Sequence, residues 1–219
     1  MSDTKPLIIF DFDGTLANTI DTGIEIFNEI ADQYNLSPVT REEADELRKL
    51  HIRALLDRLG LSRFAAVKLA AHIRKLIHSR MDEVDMFDGI SDAVTGLHEL
   101  GYPMGIISSN STGNIKDFMK RFGLFECFGF IEAGVSLFGK PNRISSVLRK
   151  EKVQPLNAIY VGDETRDMEA ARKVGVAGLA VCWGANKREA MMTEGPEFCI
   201  DSPEELIGCA EQWTANRAK

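Results

Sequence analysis

Six short apolar runs punctuate the chain, each ending at small or polar residues: LIIF (7–10), MGIISS (104–109), FGFIEA (128–133), NAIYVGD (157–163), GLAVCW (178–183) and EFCI (197–200). Between most of them lie stretches with apolar residues at helical spacing. DAVTGLHEL (92–100) is followed by Gly101, and TGNIKDFMKRF (112–122) by Gly123. RISSVLRKE (143–151) and TRDMEAARKV (165–174) continue the alternation, the latter stopped by Gly175. Uninterrupted apolar runs suit strands buried on both faces, and strand–helix alternation supplies the crossovers that parallel pairing needs. The pattern predicts an α/β fold with a doubly wound parallel sheet.

One interval breaks the rhythm. From Thr19 to Met86 no strand-like run occurs; instead come DTGIEIFNEIADQYN (21–35), TREEADELRKLHIRALLDRLG (40–60) and SRFAAVKLAAHIRKLIHSRM (62–81). A crossover between parallel strands needs one helix. The surplus predicts an inserted helical domain at residues 18–86, with a core made of 1–17 and 87–219.

Charge and composition bound what such a chain does. A net charge of −7 argues against a nucleic-acid binder or a binder of anionic membranes, which would present a basic surface. It leaves room for an anionic small substrate, because one local cation can invert the sign of a site. The four cysteines (Cys127, Cys182, Cys199, Cys209) form no CxxC pair and are expected as buried free thiols. MSDTKP has no apolar signal region, and no apolar stretch reaches membrane-spanning length. A cytoplasmic protein, monomer or homodimer, is expected.

Ligands of open α/β sheets bind outside the carboxyl ends of the strands, and the residues there form a set. The first strand ends in Asp11-Phe12-Asp13-Gly14-Thr15, the second in Ser108-Ser109-Asn110, and the fourth in Gly162-Asp163-Glu164, with Asp167 close behind. Phe138-Gly139-Lys140-Pro141 brings a lysine to the start of a helix. Clustered carboxylates raise one another's pKa unless a cation sits among them. Carboxylate oxygens with waters and a substrate phosphate are usual surroundings for Mg2+, and a lysine suits phosphate as a point charge. The N–H groups of a turn such as Asp-Gly-Thr can cradle phosphate oxygens. Asp11 and Asp13, at i and i+2 of an extended segment, project to the same side. One could attack while the other moves a proton.

Taken in order, FDFDGTL, ISSN, GKP and VGDETRD resemble the four motifs of the haloacid dehalogenase-like superfamily. The resemblance spans nearly the whole chain. It implies a Rossmann-like core, and the insert is similar to that family's C1 cap. The set looks like the phosphoglycolate-phosphatase-like branch. The resemblance assigns roles: Asp11 is the nucleophile, forming an aspartyl-phosphate, and Asp13 is the acid and base. Ser108 bonds the transferring phosphoryl group, and Lys140 neutralises it and orients Asp11. Asp163 ligates Mg2+ with Asp11 and the Asp13 carbonyl, supported by Glu164 and Asp167. Gly14, Thr15, Ser109 and Asn110 are expected near the phosphate. Hydrolytic dehalogenases of this family typically lack an acid at the position of Asp13, so the resemblance favours a phosphatase acting on a small phosphorylated metabolite. Phosphoglycolate is the leading substrate; a phosphomutase or a non-catalytic phosphate-binding regulator is the alternative. Among the basic residues of the insert, which include Arg48, His51, Arg74 and His78, Arg53 is expected to reach the substrate. One or two of the set are expected to point down toward a substrate carboxylate or second phosphate, Arg53 first, and most of the others read as solvated helix faces.

Overall fold

Leu7, Ile8, Ile9 and Phe10 are all buried and form β1 (Leu7–Phe10). Alternate side chains of a strand face opposite sides. Ile8 and Phe10 accordingly join one apolar cluster, while Leu7 and Ile9 join a second on the other face. A strand wanted by two cores must be apolar throughout, which is why LIIF has no polar position. The computed structural model describes residues 5–50, 52–135 and 139–217. His51 and Phe138, both quoted above, lie outside them.

After β1 come α1 (Thr19–Ile30), α2 (Arg41–Arg48), α3 (Ile52–Leu59), α4 (Arg63–Ser79) and α5 (Ile90–Glu99). The chain then alternates through β2 (Met104–Ile107), α6 (Thr112–Arg121), β3 (Phe130–Glu132), α7 (Lys140–Lys150), β4 (Ala158–Gly162) and α8 (Thr165–Val174). It ends with β5 (Ala177–Val181), the short α9 (Arg188–Met191), β6 (Phe198–Ile200) and α10 (Glu205–Arg217). The sheet order is β3-β2-β1-β4-β5-β6, every pair parallel. This is the Rossmann-like doubly wound arrangement. Helices α5, α6 and α10 cover one face through Leu97, Ile115, Phe118 and Leu206. Helices α7 and α8 cover the other through Ile144, Leu148 and Ala171.

The helical run at 40–60 is two helices. Arg48, at the end of α2, would offer its carbonyl to an N–H four residues on in a continuous helix. Instead it accepts from Lys187 N–H, beyond β5, at 3.0 Å. A long-range bond replaces a local one, and the helix stops. Helix α7 starts three residues before the apolar pattern, at Lys140, with Pro141 in its first turn, where a missing N–H costs nothing. The ends of the insert meet: Ala17 and Met86 form an antiparallel bridge, and Asn18 N–H donates to Asp85 O at 2.8 Å. All four cysteines are free, but only Cys182 is buried; Cys127, Cys199 and Cys209 are half-buried. No helix among the described residues is long and apolar enough to cross a membrane.

Candidate active site

The connections change direction between β1 and β4, and the crevice of such a sheet opens there, beyond the strand ends. Phe10 lies opposite Val161, and Asp11 N–H donates to Val161 O at 2.8 Å. Asp11 and Asp163 therefore leave neighbouring strands side by side. Lys140, the first residue of α7, reaches in beside Asp11. Its ammonium is 2.5 Å from Asp11 Oδ2 and also donates to Asp167 Oδ1 in the first turn of α8. The other Asp11 oxygen accepts Phe12 N–H at 2.8 Å.

Asp163 is held from two sides, by Thr15 Oγ1 at 2.8 Å and Ala185 N–H at 2.7 Å. Gly14 turns the chain over it with φ of 76°, and a Cβ there would collide with the Asp163 carboxylate. Asp13 is more open. Asn110 Nδ2 donates to its two oxygens at 3.0 and 3.3 Å, and His78 Nε2 of α4 lies 3.7 Å from Oδ2.

Burial pushes the Asp11 carboxyl up to about 7; the Lys140 ammonium opposes that rise, and Asp167 adds to it. Burial, with Glu164, Asp11 and Asp167 nearby, raises Asp163 well above the usual carboxylate range. Burial alone would pull Lys140 down, but Asp11 and Asp167 outweigh it and raise it well above its ordinary value. Glu164 is the exception: burial would raise it, but Arg166 and Lys140 bring it below its normal range. Ligand oxygens of Asp11, Asp163 and Asp167 lie within 4.8 Å of one another, all buried. Hard oxygens carrying more negative charge than one ammonium neutralises are a donor set that fits a small divalent cation.

Asp11, Asp13, Lys140, Asp163 and Glu164 line one wall of a cavity of about 700 Å3; its other wall is the insert. There the lining is mostly apolar, with Ile20, Ile24, Leu47, Ile73 and Ile77, interrupted by Arg48 and Arg74.

A sequence profile of the family described as "Haloacid dehalogenase-like hydrolase" matches residues 8–181, from β1 through β5. The chain belongs to that family. This hydrolase is 34% identical over 205 residues to a phosphoglycolate phosphatase of Synechococcus elongatus, covering 94% of this chain and 97% of that one. It is 26% identical to the pyrophosphatase PpaX of Anoxybacillus flavithermus, covering 91% of this chain and 94% of that one. In fold it is similar to a haloacid dehalogenase-like family hydrolase from Streptococcus pneumoniae, with a TM-score of 0.73 and 22% identity, covering 95% of this chain and 99% of that one.

In this haloacid dehalogenase-like hydrolase the structure brings Asp11, Asp13, Gly14, Ser109, Lys140, Asp163 and Glu164 onto one cavity wall. Thr15, Asn110 and Asp167 stand behind them as partners of Asp163, Asp13 and Lys140. Ser108 is fully buried and does not line the cavity; its Oγ accepts Asn110 N–H at 3.0 Å and shapes the turn that presents Ser109. Glu164 pairs with Arg166 and caps α8.

Arg53 is exposed on α3 and is not among the lining residues. Among the basic insert residues, Arg48, Arg74 and His78 reach the site, whereas the sequence put Arg53 first. Arg74 and His78 stand four apart on α4, in step with Ile73 and Ile77. The signal was present, but only the tertiary fold tells which face of α4 turns to the sheet.

Proposed function

We propose that this phosphatase is Mg2+-dependent, works through a covalent intermediate on Asp11, and has phosphoglycolate as its foremost substrate. One observation carries the reading. A buried carboxylate, Asp11, is ion-paired to Lys140 beside Asp163, while a second carboxyl, Asp13, faces the same cavity two residues on.

The chemistry follows from those positions. The free electron pair of ionised Asp11 attacks phosphorus, and the bond from phosphorus to the ester oxygen breaks. Asp13 gives its proton to the departing oxygen, so the alcohol leaves neutral. Asp13 then takes a proton from a water that attacks the aspartyl-phosphate, which frees Asp11 and releases inorganic phosphate. Splitting one displacement into two lowers each barrier, and a placed acid–base group is typically worth ~10²–10⁴-fold. Lys140 opposes the rise that burial imposes on Asp11 and offsets phosphoryl charge. Asn110 holds Asp13 in place. Mg2+ held by Asp11, Asp163 and the Asp13 carbonyl, with Glu164 and Asp167 in support, would neutralise charge where one anion approaches another.

For the leaving group, Arg74 of the insert and Arg166 of α8 line the same cavity. Burial and the like charge of Arg166 both pull Arg74 below its usual value. A carboxylate on the leaving group would relieve that repulsion, and phosphoglycolate carries one. In this reading residues 18–86 act as a cap over the core of 1–17 and 87–219, and the enzyme works on small metabolites in the cytoplasm.

The test is phosphate release from a panel of monoesters, phosphoglycolate included, with Mg2+ and then with EDTA, for the unmodified chain and Asp11→Asn. Release that needs Mg2+ and vanishes in the amide variant supports the reading. Asp11→Asn retaining a tenth of the activity would sink the covalent mechanism.

A further inference from the structure

The loop after β5 is clasped from both sides. On its inner side, Ala185 N–H donates to Asp163 Oδ2 at 2.7 Å and Asn186 N–H donates to Asp163 O at 3.0 Å. Trp183 Nε1–H donates to Thr15 O at 3.0 Å, and Thr15 itself bonds Asp163. Gly184 sits so close that a Cβ would collide with Asp163 and with the Gly14 carbonyl. On its outer side is one residue of the insert, Arg48. Its Nε–H donates to Gly184 O at 3.0 Å, and its Nη2 donates to Trp183 O at 2.7 Å and to Gly184 O. The Arg48 carbonyl accepts Lys187 N–H at 3.0 Å, closing the loop's far end. Asp45, one turn back on α2, pairs with Nη1 at 2.5 Å. The Arg48 side chain is only 11% exposed.

A guanidinium has five donors in a rigid plane. Here that plane spans two successive carbonyls, and the N–H that follows the second, that of Ala185, donates to the Asp163 carboxylate. Moving the insert off the sheet would release those carbonyls and loosen the loop that fixes Asp163. We propose that Arg48 is a positioning residue tying the seating of the insert on the core to the orientation of the Asp163 carboxylate, and so to affinity for a divalent cation. The coupling rests on Asp163 being a cation ligand. It is reciprocal by thermodynamic necessity: an Asp163 held by a cation steadies the loop, and the steadied loop holds α2.

The experiment uses Mn2+ as the probe, followed by electron paramagnetic resonance without substrate. It compares the unmodified chain, Arg48→Lys, Arg48→Gln, and Arg41→Gln as a control in the exposed Arg41–Asp21 pair. Circular dichroism and Tm establish that the variants are folded. Groups that orient a ligand from behind typically matter 10–100-fold for metal affinity, so both Arg48 variants should bind Mn2+ roughly tenfold more weakly while the control does not change. Mn2+ should also slow amide hydrogen exchange in α2 of the unmodified chain and not in Arg48→Gln. Mn2+ affinity within about twofold across all four proteins, a difference too small for an orienting contact, would overturn the coupling while leaving the cation site intact. No Mn2+ binding by the unmodified chain would remove the cation site and the coupling with it.

Discussion

Lys140 Nζ lies 2.5 Å from Asp11 Oδ2, with both side chains nearly sealed from solvent at 5% and 6% exposure. The same ammonium holds Asp167. Burial this deep favours the protonated carboxyl of Asp11, and the lysine works against that effect.

Lys140→Met takes away the cation that two buried carboxylates share. Removing one partner of a buried ion pair costs ~3–5 kcal/mol. For a chain of this length that is a fall in Tm of roughly 6–20 °C in EDTA. Mg2+ should recover part of the loss, because it supplies positive charge to the same oxygens. A thermal melt with and without Mg2+ measures both, and a Tm in EDTA unchanged within about 2 °C would refute the argument.

The pH dependence has a definite sign. Asp11 and Asp163 both hold their protons to higher pH in the folded state than in the unfolded one. As pH rises above 3.8, the unfolded carboxyl of Asp11 loses its proton while the folded one keeps it up to about 7. Stability of the metal-free protein therefore falls across that window, at about 1.4 kcal/mol per pH unit for one group. Groups shifted the other way, such as Glu164 and Asp201, lose their contribution only as pH drops below about 4.5. Melts in EDTA should show Tm declining from pH 5 to 7.5, and the gain from Mg2+ should be larger at pH 7.5. A gain that shrinks with rising pH would contradict the shifts.

Arg74→Met keeps the apolar stem and removes a charge that lines the cavity, the one proposed to meet the leaving group. Hydrogen bonds to charged partners are worth about 1.5–3 kcal/mol, or roughly 10–100-fold in kcat/KM. The loss should fall on phosphoglycolate and spare a neutral alkyl phosphate. Equal losses on both esters would assign Arg74 to the phosphate or to the fold.

Gly23 of α1 lines the cavity, and a Cβ there would meet only Ile77 Cδ1, at an ordinary 3.6 Å. Gly23→Leu therefore directs a side chain into the space without forcing the backbone. Turnover of bulky esters should fall at least about tenfold against phosphoglycolate, the price of one or two lost methylene-sized spaces. Removing a mid-helix glycine adds up to ~1 kcal/mol of stability, so Tm should hold or rise. Competition between an aryl phosphate and phosphoglycolate reads the effect directly.

The sheet was legible because parallel strands are buried on both faces. Each apolar run contains a strand or overlaps one in all but a terminal residue, and where a run overshoots, as in MGIISS, the extra residues are the polar turn that leads Ser109 to the cavity wall. The core side of the site was legible for a related reason. Asp11, Asp13 and Asp163 sit directly at strand ends, so placing the strands places them. The insert side was not. The break between α2 and α3 depends on Lys187, 139 positions away from Arg48 along the chain by subtraction of their numbers. Whether Arg53 or Arg74 meets the cavity depends on how a helix is rotated about its axis, which amphipathicity alone does not decide when both faces carry arginine. Ser108 and Ser109 differ by one residue, and only the backbone of the turn determines which reaches the wall.

The bridge between Ala17 and Met86 gives the chain a modular grammar. Because the sequence leaves the sheet and returns at one point, the core experiences four helices as a loop whose ends are already tied. Doubling the length of such a loop costs only ≈ 0.6 kcal/mol in closure entropy. A change of length behind that clasp therefore bears little on the pairing of β1 with β2.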